Sequence, residues 1–128
     1  MEPESKPATP APAPQATPST PEVAFDEFTK FDFRVGKILE VFPVEKSKKL
    51  MRIIASFGTE KRQAVAGLVP YYKPEELVGK KAVFLMNLKR RVMAGYESQC
   101  MILAAEDDKG VVSALLPDKD VSEGAKIG

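Results

Sequence analysis

The chain has 128 residues, with 19 Lys and Arg against 18 Asp and Glu, a single cysteine and no histidine. Without histidine the commonest general base is missing, and a lone thiol supplies neither a disulfide framework nor a thiolate pair for a metal, so most catalytic constellations are excluded and surface recognition leads. The near-zero net charge hides an asymmetry: between Lys46 and Arg91 twelve cations stand against three acids, so a dipolar molecule with a basic region able to attract a polyanion is expected.

Seven of the eleven prolines fall within residues 1–22, where Met1 is the one hydrophobic residue larger than alanine. Such a composition cannot offset its ordering entropy by burial, which predicts a disordered Pro/Ala-rich tether over residues 1–23. The segment has neither the apolar core of a signal peptide nor the arginine bias of a transit peptide, and no membrane-length apolar run follows. A cytoplasmic protein without membrane contact is therefore expected. Residues 24–128 suffice for one domain with one core.

Within that domain, Phe25, Phe28 and Phe31 recur at a spacing of three and predict a short amphipathic helix. Residues 33–42 are β-branched, aromatic and roughly alternating, and they end at Pro43, as a long strand does. Gly36 is placed to kink that strand so that it serves two sheets of a small barrel. A charged turn leads to a second strand at 50–57, a turn at 58–61 and a third strand at 62–66, which Gly67 stops. Pro74 followed by Glu75 and Glu76 is the start pattern of a short helix. Strands at 82–86 and 101–105 flank a basic loop. The order β-β-β-α-β-β is that of an all-β, five-stranded OB-fold barrel with short helices. Residues 111–116 and 125–127 add a C-terminal β extension that caps the barrel or supplies a subunit contact.

The basic loop carries the chemistry. Lys89, Arg90 and Arg91 are consecutive cations set among amides, Gly95 and Tyr96, a composition suited to phosphate and base contacts. Arg90 or Arg91 can grip a phosphate bidentately, whereas Lys89 acts as a point charge. Asn87 and Ser98 can bond phosphate or a 2′-hydroxyl, and Gly95 lets a backbone approach closely. Each has a plainer role open to it: Asn87 as a turn former, Ser98 as a cap, Gly95 as a positive-φ turn residue, Met93 as a core plug instead of an apolar base contact. Lys46, Lys48 and Lys49 either extend the basic track or solubilise a turn, and alternation partly buries the Arg52 stem. Tyr71 and Tyr72 offer stacking surfaces, with at least one expected to pack on the barrel. Cys100 reads as a small buried hydrophobe. With no Walker loop, no dinucleotide fingerprint and no metal-spaced carboxylates, no catalytic residue, metal or cofactor is expected.

Residues 31–38, 65–68, 71–81 and 87–89, with Gly95 and Ser98–Gln99, closely resemble the tRNA-binding domain at the C-terminus of bacterial methionyl-tRNA synthetases. The same domain occurs as a free-standing tRNA-binding protein, as a separate synthetase beta subunit and in a cytokine-related synthetase cofactor. The resemblance covers residues 25–128 in order. It implies an OB fold, usually a homodimer, that binds tRNA with limited sequence preference and is non-catalytic by itself, working beside a methionyl-tRNA synthetase catalytic chain. Position by position it points to Asn87, Lys89, Arg91, Met93, Gly95 and Ser98 as the RNA-facing motif, to which Arg90 adds a cation. The chain departs from the family pattern at Arg90, usually proline, at Val92, usually basic, and at Cys100, usually glycine. Phe42 also stands where a histidine is frequent. A secretion-related chaperone resembles the same domain, so the alternative is a dimer that holds unfolded polypeptides in an apolar groove between subunits.

Overall fold

The computed structural model describes residues 20–128, so most of the expected tether lies outside the described residues; residues 20–23 are exposed and lack regular structure. The elements in chain order are α1 (Phe25–Phe28), β1 (Phe33–Pro43), β2 (Met51–Ser56), β3 (Lys61–Ala66), α2 (Pro74–Leu77), β4 (Lys81–Leu85), β5 (Arg91–Met93), β6 (Tyr96–Ser98), β7 (Met101–Ile102), β8 (Ala104–Glu106), β9 (Val112–Ala114) and β10 (Lys126–Ile127).

The main sheet is antiparallel in the order β3-β2-β1-β4-β7, with β10 also on β1. Strand β1 is its axis. Residues 33–37 pair with β4 and residues 37–43 with β2, so Lys37 stands opposite both Lys81 and Ser56. The register shifts between Ile38 and Glu40, which leaves Leu39 as an extra residue and bends the strand. Gly36, one residue before Lys37, has a packing reason to be glycine: a Cβ there would lie 2.5 Å from the Phe57 ring. That ring meets Phe84 edge-on, with centroids 5.3 Å apart at 84°, at the centre of the core.

Strict alternation along β2 turns Met51, Ile53 and Ala55 inward, where they join Ile38, Ala64, Phe84 and Ile102. Helix α2 starts at Pro74, and the Glu76 carboxylate accepts the Lys73 N–H at 2.7 Å. Its Leu77 is fully buried against the same core. Burying such a side chain contributes about 1.5–3 kcal/mol.

The fold is the expected all-β, OB-like barrel with only short helices, but the fifth strand is not continuous. It divides at Leu103, whose N–H donates to Val83 on β4 while its carbonyl accepts the Leu115 N–H. The chain changes partners there, β7 continuing on β4 and β8 pairing with β9. The C-terminal extension also joins the barrel: β10 pairs with the start of β1, and Gly124 N–H donates to Val35 at 2.7 Å. The free edge of β3 is met by residues 97–100, with Gln99 N–H donating to the Gln63 carbonyl at 2.7 Å. The sheet thus curls toward closure at the root of the basic loop.

Candidate nucleic-acid interface

Beyond β4 the basic loop folds as a hairpin, with Arg91 opposite Ser98, Val92 opposite Glu97 and Met93 opposite Tyr96. Its two-residue turn places Ala94 at φ 51° and Gly95 at φ 88°, the paired left-handed conformation whose twist matches the flanking strands. The pleat then sorts the side chains. Arg91 and Met93 face a groove together with Lys89, whereas Val92 points outward and is 72% exposed. Arg90 does not line the groove; its Nη1 lies 3.5 Å from Glu97 Oε1.

The hairpin is fixed to the barrel by residues whose polar atoms are already engaged. Val65 N–H donates to Ser98 Oγ at 3.1 Å, and that hydroxyl donates to the Cys100 carbonyl at 3.0 Å. Gln63 Nε2 donates to the Glu97 carbonyl at 2.8 Å, and Gln63 N–H donates to Gln99 Oε1 at 3.1 Å. Arg62 Nη1 donates to the Met86 carbonyl at 2.8 Å while its fork grips Glu60. Asn87 bridges the two ends of a different junction: its Nδ2 donates to the Lys30 carbonyl and its Oδ1 accepts the Asp32 N–H. Asn87 and Ser98 thus hold the loop's shape, the plainer of the two roles open to each, while Ser98 also lines the groove described below.

Arg52 supports the hairpin from below. Its guanidinium lies 4.5 Å from the Phe42 ring centre and 5.0 Å from that of Tyr96, and its Nη1 donates to Gln63 Oε1 at 3.1 Å. Its buried Nε has no hydrogen-bond partner among the described residues, so attraction to two aromatic faces accounts for its placement. The anchoring roles of Gln63 and Gln99 are not among the sequence expectations; the one signal for them is a long amide standing just before each of the apolar runs 64–66 and 100–105.

Between residues 65–68 and the hairpin lies a groove of about 260 Å³. Leu68, Leu88, Met93, Met101 and Ile102 supply apolar walls, and Lys89 and Arg91 are its cations. Neither cation has an acidic partner within 4.0 Å among the described residues. Lys46 lies beside the hairpin tip, sharing a second recess with Val44, Gly95 and Tyr96.

The twelve central cations do not form one patch. Lys80 and Lys81 join Lys37 and Lys119 around a separate depression, where Lys81 Nζ binds Asp120 at 2.7 Å. That bond holds the Asp120 carboxyl below its ordinary range. Lys81 enters β4 and the basic loop leaves it, about 13 Å further along the strand. Tyr72 packs against the core with its hydroxyl accepting the Ala114 N–H, and Tyr71 is exposed. Cys100 is buried, and desolvation pushes its thiol up to about 12. Among the described residues no cluster of His, Cys, Asp or Glu could hold a metal, and no helix is long and apolar enough to cross a membrane.

Residues 33–126, which span β1 through the start of β10, match the family model described as "Putative tRNA binding domain". The chain belongs to this family. The domain is 52% identical over 108 residues to the methionine-tRNA ligase of Methanosarcina mazei, an alignment that covers 84% of this chain and 15% of that enzyme. It therefore spans only a small part of the curated relative it matches. Among solved structures it is similar to a MetRS related protein from Pyrococcus horikoshii, with TM-score 0.81 and 37% identity over 85% of this chain and 100% of the other. It is also similar to chaperone CsaA from Bacillus anthracis, with TM-score 0.77 and 26% identity over 84% of this chain and 100% of that one.

Proposed function

We propose that this domain is a non-catalytic, cytoplasmic tRNA-capture module that serves a methionyl-tRNA synthetase as its beta subunit or as an appended domain. The observation that carries the reading is the groove bounded by Lys89 and Arg91, two cations without acidic partners among the described residues, in a chain of the tRNA-binding family. Both side chains can replace the counterions of a phosphate backbone. Met93 and the Gly95 turn present the adjoining contact surface, Arg90 adds charge from the outer face, and Asn87 and Ser98 keep the loop in shape. Synthesis of the aminoacyl bond falls to the catalytic chain; this one supplies affinity for its substrate.

The module is proposed to act as a homodimer. Among the described residues α1 buries none of its side chains, and Phe25, Phe28 and Phe31 are 74%, 41% and 46% exposed. Together with Phe33 they form a ladder of ring contacts at 6.0–6.2 Å, an apolar surface of the kind that subunits cover.

The test is the salt dependence of tRNA binding by the whole chain. With three to five phosphate contacts, log Kd against log salt should have a slope of magnitude roughly 2 to 4, and Lys89→Ala with Arg91→Ala should lower that magnitude by roughly 1 to 2. A flat salt response, or an unchanged slope in the double variant, overturns the site. Suppression of client aggregation that excess tRNA leaves untouched would instead favour the polypeptide-holding reading suggested by the CsaA likeness.

A further inference from the structure

We infer that the groove beside Lys89 and Arg91 receives one unstacked nucleobase, so that the domain grips RNA at a splayed, single-stranded nucleotide as well as along phosphates. The inference rests on the RNA-binding reading and adds to it a preferred feature of the ligand.

Phosphate binding alone requires cations and has no use for an apolar floor. Here Leu88 and Met101, each 41% exposed, lie beside the half-buried Met93 in the same groove as the two cations. A ligand that covers these side chains gains by removing their apolar surface from water. The period-2 alternation of β5 puts charge and apolar contact on one side, Arg91 followed by Met93. A nucleotide has the same arrangement, with a flat, weakly polar ring flanked by phosphates on both sides. Gly67 leaves the backbone bare on the opposite wall, where a Cβ would meet nothing closer than the Lys49 carbonyl at 4.0 Å.

Size and edge chemistry favour a base over a peptide. At about 260 Å³ the groove is smaller than the ~300–1,000 Å³ of typical drug-sized ligand sites and suits a single ring system. One way an extended polypeptide docks is by adding a strand to an open sheet edge. Residues 97–100 already occupy the β3 edge beside the groove, through Gln63, Ser98 and Gln99. What is left is a slot with apolar sides and a cationic rim. Thioether and aliphatic walls touch a base by dispersion and read no hydrogen-bonding edge, so the slot accepts any base.

The experiment compares three ligands on the full chain: a tRNA, a short uridine oligoribonucleotide, and an abasic ribose-phosphate oligomer of the same length and charge. The uridine oligomer should bind at least about 5-fold more tightly than the abasic one, the low end of what a stacked base contributes because no aromatic ring among the described residues lines the slot, with the same salt slope. In the variant carrying Leu88→Ala and Met93→Ala, that difference should shrink several-fold while the slope stays put. Both positions are exposed or half-buried, and a thermal melt verifies that the variant folds; should it not fold, the comparison of oligomers on the parent protein still decides. Equal binding of the two oligomers, or binding of tRNA alone, overturns the base slot while leaving tRNA capture intact. Binding of none of the three overturns both, and displacement of uridine oligomer by an unfolded polypeptide that RNA cannot displace in turn assigns the groove to peptide.

Discussion

Replacing Ser98 with alanine separates a residue that touches RNA from one that shapes the site. The hydroxyl accepts the Val65 N–H at 3.1 Å and donates to the Cys100 carbonyl at 3.0 Å, and Val65 and Cys100 are only 7% and 3% exposed. Ser98→Ala leaves a shielded backbone donor without a partner, which costs about 1–3 kcal/mol, and removes a second bond contributing about 1 kcal/mol. A total of about 2–4 kcal/mol should lower Tm by about 8–16 °C for a domain of this size. The domain stays folded at 25 °C, where Lys89 and Arg91 still carry the phosphate contacts. Its affinity for tRNA should therefore fall less than about threefold with an unchanged salt slope. Calorimetry gives the first quantity and fluorescence anisotropy across a salt series the second. A Tm within about 2 °C of the parent, accompanied by a tenfold loss of affinity, would show that the hydroxyl meets the RNA directly and refute this reasoning.

The aromatic face of α1 and the buried thiol give two further tests. Phe28→Asp should weaken self-association about 30-fold or more, the effect of losing a buried aromatic anchor worth about 2 kcal/mol, as read by sedimentation equilibrium; a parent protein that is monomeric at every concentration, or a variant that matches it, removes the dimer. Burial holds the Cys100 thiol neutral to about pH 12, against an ordinary value near 9. Its sign is fixed by linkage: below the unfolded-state value the stability is intact, and it is lost as pH climbs from there toward the folded-state value, where only the unfolded chain ionises. At pH 8 the thiol should accordingly resist a disulfide reagent unless the domain opens. Labelling at the rate of a small-molecule thiol would contradict its burial.

Much of this protein follows from the chain alone because the signals are local. Alternation along 51–56, the proline and acids that begin α2, the loop composition at 87–99 and the glycines at turns each depend on neighbours within a few residues, so strands, short helices and a charged recognition loop could be placed in order. Their order, β-β-β-α-β-β, named the barrel those elements make, and the family likeness agreed with it. Three-dimensional packing decided what no local rule contains. Whether Ser98 and Asn87 face a ligand or a backbone depends on partners 33 and 55 residues away, Val65 and Asp32. The fate of the three adjacent cations was settled by the pleat of β5 and by Glu97 across the hairpin, which draw Arg90 away from Lys89 and Arg91. Lys80 and Lys81 belong to the same basic stretch of sequence, yet β4 carries them to the far end of the barrel from the groove. Charge is written in composition, but its direction is a property of strand register, and register is fixed only when distant edges meet.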